Sequence, residues 1–498
     1  MSWNVAAPLL VIATSLSAGI AIFFLAEASQ RLRSTLNIGA ALIKLMLVAA
    51  MLLWIYQGET FEFRYALLPG IDFVLRADAL SMLFVTLSAG LWLLTTIYAI
   101  GYLEHAEHRS RFFGFFSLCV TTTMGIAFAG NLLTFFVFYE LLTLATYPLV
   151  VHRGTAGALR AGGAYLAYTL GGGVALLGGI AWMHALVGTR DFENGGFSQL
   201  PVDAPIGQLT IVFALLIAGL GVKASLVPLH GWLPRAMVAP APVSALLHAV
   251  AVVKAGAFGI ARVVYDVFGI EIVHDLGLLT PLGIVAAFTI LYGSLRALTQ
   301  VDLKKRLAFS TVSQVSYIIL GITLFGPIGT VGGLVHLVHQ GVMKITLFFC
   351  AGNYAETLGI HRIDEMDGVG RRMPWTTAAF TVGALGMIGL PPTAGFISKW
   401  YLGMGAYQAG MLWAIAVLAA STLLNAAYFL PIVYRAWFSP QVGRWPHAQP
   451  RGRLETPWML LVPAVATATL TVVLGLAAST AWSPLEWALL IAQREYLR

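Results

Sequence analysis

The 498-residue chain is poor in almost everything a water-soluble domain needs. Only 10% of it is charged, against 59% hydrophobic. With a mean hydropathy of +0.83, it carries more apolar surface than a soluble core could hide, and that surface comes in long runs. A polytopic membrane protein follows. There are only two cysteines, Cys119 and Cys350, both inside apolar runs, which excludes a disulfide framework and a thiolate metal site. Dinucleotide fingerprints, cysteine clusters and phosphate loops are also missing, so no redox cofactor and no metal is expected. The opening run VAAPLLVIATSLSAGIAIFFL lacks a basic n-region and is too long for a signal peptide, so it reads as the first span. No stretch remains for a soluble domain. The longest linkers fall near 57–76, 188–205, 353–374 and 439–457.

A hydrocarbon layer of roughly 30 Å needs about 20 apolar residues per helix, and on that template the chain holds about fourteen spans. The expected fold is all-α and integral to the membrane. Basic residues are very unevenly spread over the linkers. Alternate loops carry Arg31 and Arg33, Arg109 and Arg111, Arg153 and Arg160, Arg235, the Arg296 to Arg306 cluster, Arg362 to Arg372, and Arg444 to Arg453. The loops between them hold only Arg64, Arg76 and Arg190, with acids such as Glu59, Glu62, Asp191, Glu193, Asp266 and Glu271. By the positive-inside rule the first set is cytoplasmic and both termini lie outside. The net charge of +7 is thereby explained without nucleic acid.

Seven basic residues fall outside the loops: Lys44, Lys223, Lys254, Arg262, Lys344, Lys399 and Arg435. Arg262 and Arg435 sit near span ends, where a long side chain reaches water by snorkelling. Lys44 admits two readings, a snorkelling residue or a buried charge. Glu140 is the only acid far from a span end, about ten residues from Asn131 and Val150, hence roughly 15 Å from either surface. A charge at that depth costs about 2.5 to 3.5 kcal/mol, so Glu140 with Lys223, Lys254, Lys344 and Lys399 carries a penalty of order 10 kcal/mol or more. Four lysines cannot all pair with one glutamate. Burial lets such groups change protonation in the physiological range, which makes them a candidate proton relay.

Two spans contain helix breakers. Lys223 is followed by Pro228, His230, Gly231, Pro234, Pro240 and Pro242, and Pro391, Pro392 and Gly395 precede Lys399. Proline removes an amide donor, and freed carbonyls at membrane depth must face protein or water. Breaks in the seventh and twelfth spans, five spans apart, point to two inverted five-helix repeats. In the eleventh span His336, Gln340 and Lys344 recur at i, i+4 and i+8 on one face, with His339 beside it. The tenth presents Ser310, Ser313, Gln314 and Tyr317 in the same way, fit to hold water or to bond neighbouring helices. His230 and His248 are further candidates, although His248 points away from Lys254 on its helix. The acids of the 353–375 loop, Glu356, Asp364, Glu365 and Asp367 with His361, would be the only place for an enzyme acting at the membrane surface, and their mixed charges read as a solvated connection.

The stretches FFVFYELLTLATYPL, GVKASLVPLHGWLPRAM with APVSALLHAVAVVKAG, VDLKKRLAFSTVSQVSYI and GLPPTAGFISKW together resemble the antiporter-like subunit family. That family is shared by Mrp-type cation/proton antiporters, respiratory NADH dehydrogenase and membrane-bound hydrogenases, and the resemblance runs from about Arg76 to Trp437. It implies fourteen core helices, with Glu140 on the fifth facing Lys223 on the broken seventh, Lys254 on the eighth and Lys399 on the broken twelfth. It divides the chain into helices 1–3 (1–110), a first repeat (111–266), a second repeat (267–438), and helix 14 with a tail (439–498). A lysine at the last position looks closer to the D-type component of the antiporter than to the middle pumping subunit of the NADH enzyme, and the long lateral helix of the largest members is lacking. The implied function is a proton-translocating subunit of a monovalent cation (Na+)/proton antiporter in a prokaryotic cell membrane, working with other membrane subunits. The alternative is the equivalent subunit of a redox-driven or inorganic-carbon uptake complex. Protons would pass from the Glu140–Lys223 pair to Lys254, along His336, His339 and Lys344, and on to Lys399. With no second buried carboxylate expected, a sodium site would lie mainly in another subunit or at an interface.

Overall fold

The computed structural model describes residues 2–103, 106–197, 206–441, 443–447 and 452–496. One residue of the basic stretch from Arg444 to Arg453, Arg451, lies outside them. The apolar runs form helices because only a helix satisfies its own backbone groups in hydrocarbon. The chain opens with α1 (Trp3–Phe23) and α2 (Gln30–Tyr56). After a hairpin come α3 (Ala79–Tyr102), α4 (Arg109–Phe128), α5 (Leu132–Val150) and α6 (Ala156–Val187). The seventh span is broken into α7 (Ile206–Lys223), a 3₁₀ turn at Leu229–Gly231 and α8 (Trp232–Arg235). The eighth runs through α9 (Ala241–Ala245) and α10 (Val252–Arg262), with π-helical turns at Leu246–Val250 and Val263–Phe268. A short α11 (Ile270–Asp275) leads to α12 (Leu279–Leu298), α13 (Leu303–Thr323) and α14 (Pro327–Leu358). After α15 (Val369–Arg372), the twelfth span is split into α16 (Pro374–Ile388) and α17 (Ala394–Gln408). The chain ends with α18 (Leu412–Phe438), α19 (Trp458–Leu476) and α20 (Pro484–Tyr496).

Among the described residues, 12 helical segments are long and apolar enough to cross a membrane. The more polar α13 and the split α16–α17 pair stand where the sequence places two further spans. The centre of the bundle is α14 with the α9–α10 span, whose apolar middle stretches are buried throughout. These are the helices that carry His336, His339, Lys344, His248 and Lys254.

Two linkers hold more structure than plain connections. Residues 57–76 fold largely into β1 (Phe61–Leu68) and β2 (Ile71–Ala77), an antiparallel hairpin turning at Gly70 with φ +78°. Phe61, Val74 and Leu75 are buried, the adjacent Val74 and Leu75 on opposite faces of β2, while Arg64 bridges Glu62 and Asp72 outside. The tail after helix 14 forms α20, which lays Trp487 and Ile491 on the bundle and anchors itself where Trp487 Nε1 donates to the Ala79 carbonyl at 2.7 Å.

The loops gather at two ends, and the division follows their charge. At the acidic end Gly130 N donates to the Val74 carbonyl (2.9 Å), Phe192 N to that of Gly130 (2.7 Å), and Gly195 N to the Glu495 carboxylate (3.0 Å). At the basic end Arg109 N donates to Glu27 (2.9 Å), Lys304 Nζ to the Ala239 carbonyl (2.5 Å), and His447 N to that of Leu358 (3.2 Å). One expectation fails here. Arg262 does not snorkel but is 1% exposed, held between Asp78 (2.8 Å) and Asp266 (2.9 Å). Asp266 sits one turn along the same helix and Asp78 caps α3, so the guanidinium finds two carboxylates without reaching for water. Arg435 behaves as expected, with its side chain 41% exposed at 3.7 Å from Asp367.

Candidate functional site

Both broken spans place a lysine at the gap. Helix α7 stops at Lys223, and Ser225 takes a left-handed conformation with φ +59°. The freed Val222 carbonyl is taken up by Trp232 Nε1 at 2.7 Å. At the second gap α16 stops at Ile388, whose carbonyl accepts from Lys399 Nζ at 2.7 Å, while the Met387 carbonyl accepts from Asn425 Nδ2 at 3.2 Å. The carbonyl end of a helix is the negative end of its dipole, so a cation suits that place. Gly389 makes it possible: its φ is +92°, and a Cβ there would stand 2.6 Å from Lys399 Cδ.

Glu140 occupies a notch in α6. A Cβ on Gly173 would stand 2.6 Å from Glu140 Oε1, so only glycine leaves room for the carboxylate. The residue is half-buried, and its Oε1 is enclosed without a hydrogen-bond partner. Lys223 is fully buried and turns to the neighbouring residue, donating to the Tyr139 carbonyl with its Nζ 3.4 Å from the centre of the Tyr139 ring. Among the described residues no ion pair closes between Glu140 and Lys223. Tyr139, whose hydroxyl donates to the Gly219 carbonyl of α7 at 3.1 Å, stands between the two helices.

From Lys223 the row passes inward. Gly256 lets α10 pack against the α7 break, since a Cβ there would meet Ala224 N at 2.2 Å. On α10, fully buried Lys254 donates to the Leu337 carbonyl of α14 at 2.8 Å, which links the two halves of the chain. The polar face predicted for the eleventh span is what α14 turns toward α13 and α17. His336 Nδ1 lies 2.8 Å from Ser398 Oγ and its ring 5.3 Å from that of Tyr317. Lys344 Nζ donates to Ser310 Oγ. His339 and Gln340 are buried with side-chain polar atoms that have no hydrogen-bond partner among the described residues. Lys399, half-buried, completes the row at 3.1 Å from Thr422 Oγ1 and 5.4 Å from the centre of the Tyr317 ring.

Two candidates stand apart from it. His230 borders a cavity of about 630 Å³ at the basic end with Arg160, Arg235, Arg296 and Lys305. His248 is fully buried in the π-helical turn, its ring 4.6 Å from Phe348 and neither nitrogen partnered among the described residues. In the 353–375 loop Glu365 accepts from the backbone of His361 and Arg362, and Asp364 pairs with Arg362 at 2.9 Å. Those acids serve local capping. Sequence reasoning missed Tyr139, Ser398 and Thr422. Ser398, directly before Lys399, was recoverable from its position; Thr422 lies in an apolar helix with nothing to mark it.

The comparisons agree with this architecture. The family described as "NADH:quinone oxidoreductase/Mrp antiporter, TM" matches residues 129–425, which include Glu140 and all four lysines of the row. The complex I chain 5 N-terminal family matches residues 69–113. NADH-quinone oxidoreductase subunit N of Desulforudis audaxviator is 36% identical over 441 residues, covering 84% of this chain and 85% of that protein. The D component of the Na(+)/H(+) antiporter of Alkalihalophilus pseudofirmus is 27% identical over 81% of this chain and 80% of its own length. Among solved structures, a chain of the Mrp complex from Dietzia sp. DQ12-45-1b superposes with a TM-score of 0.88 at 25% identity, over 100% of this chain and 98% of that one. With a matching core that spans both broken helices and a relative this similar over most of its length, the chain belongs to the NADH:quinone oxidoreductase/Mrp antiporter family of multi-span membrane subunits.

Proposed function

We propose that this chain translocates protons as the D-type component of a multisubunit monovalent cation (Na+)/proton antiporter. The observation that carries the reading is the buried row itself. Glu140, Lys223, Lys254, His336, His339, Lys344 and Lys399 run across the bundle through both helix breaks, without a counter-charge for each lysine. A group of this kind holds a proton at one stage and releases it at the next, because burial narrows the gap between its charged and neutral forms. A proton on Glu140 weakens the field that favours a charged Lys223, which then gives its proton toward Lys254. Residues 111–266 and 267–438 act as inverted repeats, each supplying one broken helix. Lys399 and the superposition on the Mrp complex favour the antiporter form.

Partner subunits cover the Glu140 flank. The carboxylate is half-buried beside exposed Val137, Leu141 and Leu144 of α5 and Leu170 and Val174 of α6, and such a group is too costly to leave facing lipid. A second reading, the proton-pumping subunit of a redox-driven complex, is favoured by the 36% identity to NADH-quinone oxidoreductase subunit N. Copurification in mild detergent separates the two, since a redox complex brings cluster-bearing soluble subunits. The relay is tested by Glu140→Gln, which keeps size but not titration. We expect normal complex yield with loss of vesicle proton flux, and Glu140→Asp to retain part of it through a bridging water. Normal yield with normal flux would refute the relay, and lost yield would make Glu140 a structural residue.

A further inference from the structure

Lys44 lies outside the central row, and its placement resolves the two readings left by the sequence. It sits roughly 21 Å along α2 from Gln30 and is 0% exposed. Its Nζ reaches neither end of the molecule. It donates to Ser15 Oγ of α1 at 2.6 Å and stands 4.5 Å from the centre of the Trp92 ring of α3. An ammonium has three donors, and one hydroxyl with a ring face leaves a full charge poorly compensated. Among the described residues no carboxylate on α1, α3 or α4 reaches it. The charged groups nearest along the seam are Arg33 of its own helix, Arg109 of α4 and Glu27 before α2, all at the basic end.

A polar seam runs from Lys44 to that end, its side-chain hydrogen bonds interrupted at two backbone carbonyls, those of Ser117 and Arg33. Thr121 Oγ1 lies 2.9 Å from Ser15 Oγ and 2.9 Å from the Ser117 carbonyl. Ser117 Oγ donates to Asn37 Oδ1 at 3.2 Å, and Asn37 Nδ2 to the Arg33 carbonyl at 3.1 Å. Arg33 Nη1 donates to Ser110 Oγ at 2.7 Å, and Ser110 N to Glu27 at 3.0 Å, where the carboxylate is 47% exposed. Arg33, Asn37 and Lys44 follow one face of α2, and Ser110, Ser117 and Thr121 one face of α4. One or two hydrogen bonds would be enough to hold three helices together. A polar seam that begins at one surface and ends on a lone buried lysine gives a proton access where water bridges its two carbonyl-linked steps.

We propose that Lys44 is a second proton-binding site, separate from the Glu140–Lys223 row and loaded from the basic end along the α1–α2–α4 seam. Loading forms one N–H bond on the Nζ lone pair with a proton from hydronium at the Glu27–Arg33 mouth, leaving water. Unloading breaks that bond, hands the proton back to a water of the same seam as hydronium, and leaves a neutral amine. Helix α3, which carries Trp92, also places Ser88 Oγ 3.5 Å from the Val250 carbonyl, in the π-helical turn of His248 that precedes Lys254 in the chain. Its use in transport rests on the proton-translocating reading, whereas its access route does not.

The test uses the assembled complex in vesicles. Lys44→Gln keeps a donor for Ser15 but cannot titrate, and we expect wild-type yield, a several-fold lower proton flux and a shifted dependence on pH at the basic end. In a Cys119→Ala, Cys350→Ala background, Asn37→Cys and Ser15→Cys should react with silver ion added at the basic end and not at the acidic end. An unchanged pH profile in Lys44→Gln, or cysteines that silver does not reach, overturns the proposal. Loss of yield in Lys44→Gln also overturns it, making the seam a structural joint. If Glu140→Gln abolishes flux while Lys44→Gln changes nothing, this inference fails alone. If Glu140→Gln leaves flux intact, the central row fails, and silver labelling still decides the seam.

Discussion

Glu140 fits against α6 only because residue 173 has no side chain, so the carboxylate and the glycine act as one feature. Gly173→Ala would bring a methyl to 2.6 Å from Oε1 and push the carboxylate out of its notch. Proton flux in vesicles should fall sharply. Gly178→Ala, on the same helix with nothing within 4 Å of the added carbon, should transport as wild type and serves as the control. Lys254 gives a second expectation. It donates to a backbone carbonyl and has no acid partner, so a guanidinium could replace its charge but never release the proton. Lys254→Arg should therefore assemble and fail to transport, and full flux would make Lys254 a fixed charge. At this scale the charged members of the row were legible, because a lysine or glutamate inside an apolar run is costly wherever it occurs. Tyr139 and Thr422 were not, since a tyrosine or threonine costs little in a span and only packing places it beside a lysine.

The two broken helices show how an element becomes a site. Proline and glycine announce the interruption, but the identity of the group that answers the freed carbonyl is a tertiary matter: Trp232 at one gap, Lys399 and Asn425 at the other. Helix α20 is a second case, an amphipathic segment that the sequence left as a tail. Its Glu495 is 6% exposed and accepts from Gly195 N at 3.0 Å. Burial, reinforced by the nearby Asp266 carboxylate, pushes its carboxyl up to about 8. Asp78 adds to that push, Arg262 opposes it, and Tyr496 lies beside it in sequence. The sign follows from linkage. Docked α20 holds the proton more tightly than the undocked helix, so docking is strongest below the ordinary carboxylate range and is lost progressively as pH rises toward about 8. Hydrogen exchange of the α20 amides, corrected for intrinsic rate, should show looser docking at pH 8 than at pH 6, and Glu495→Gln should remove the difference. Equal protection at both pH values in the native chain would contradict it.

For the whole molecule, the alternation of basic and acidic linkers in the sequence reappears as a division between two ends, with hydrogen bonds joining loops of the same set. A cysteine at Arg153 or Lys305 should accordingly be labelled only from the cytoplasm, and one at Asp191 only from outside. The reverse pattern would invert the orientation and every access route with it.

The sequence by itself determined the membrane class, the many-helix bundle, the two helix breaks and the charged residues of the row, because hydrocarbon penalises each polar residue regardless of its neighbours. The tertiary structure decided what depends on contact between distant segments. It turned Lys44 inward onto Ser15 and Trp92 where the sequence allowed snorkelling, and it enclosed Arg262 between Asp78 and Asp266 where the sequence placed it at a water-facing end. It also set Lys223 on Tyr139 and not in an ion pair with Glu140. A long side chain near a span end can reach water or a neighbouring helix, and only the packing of helices far apart in the chain selects between the two.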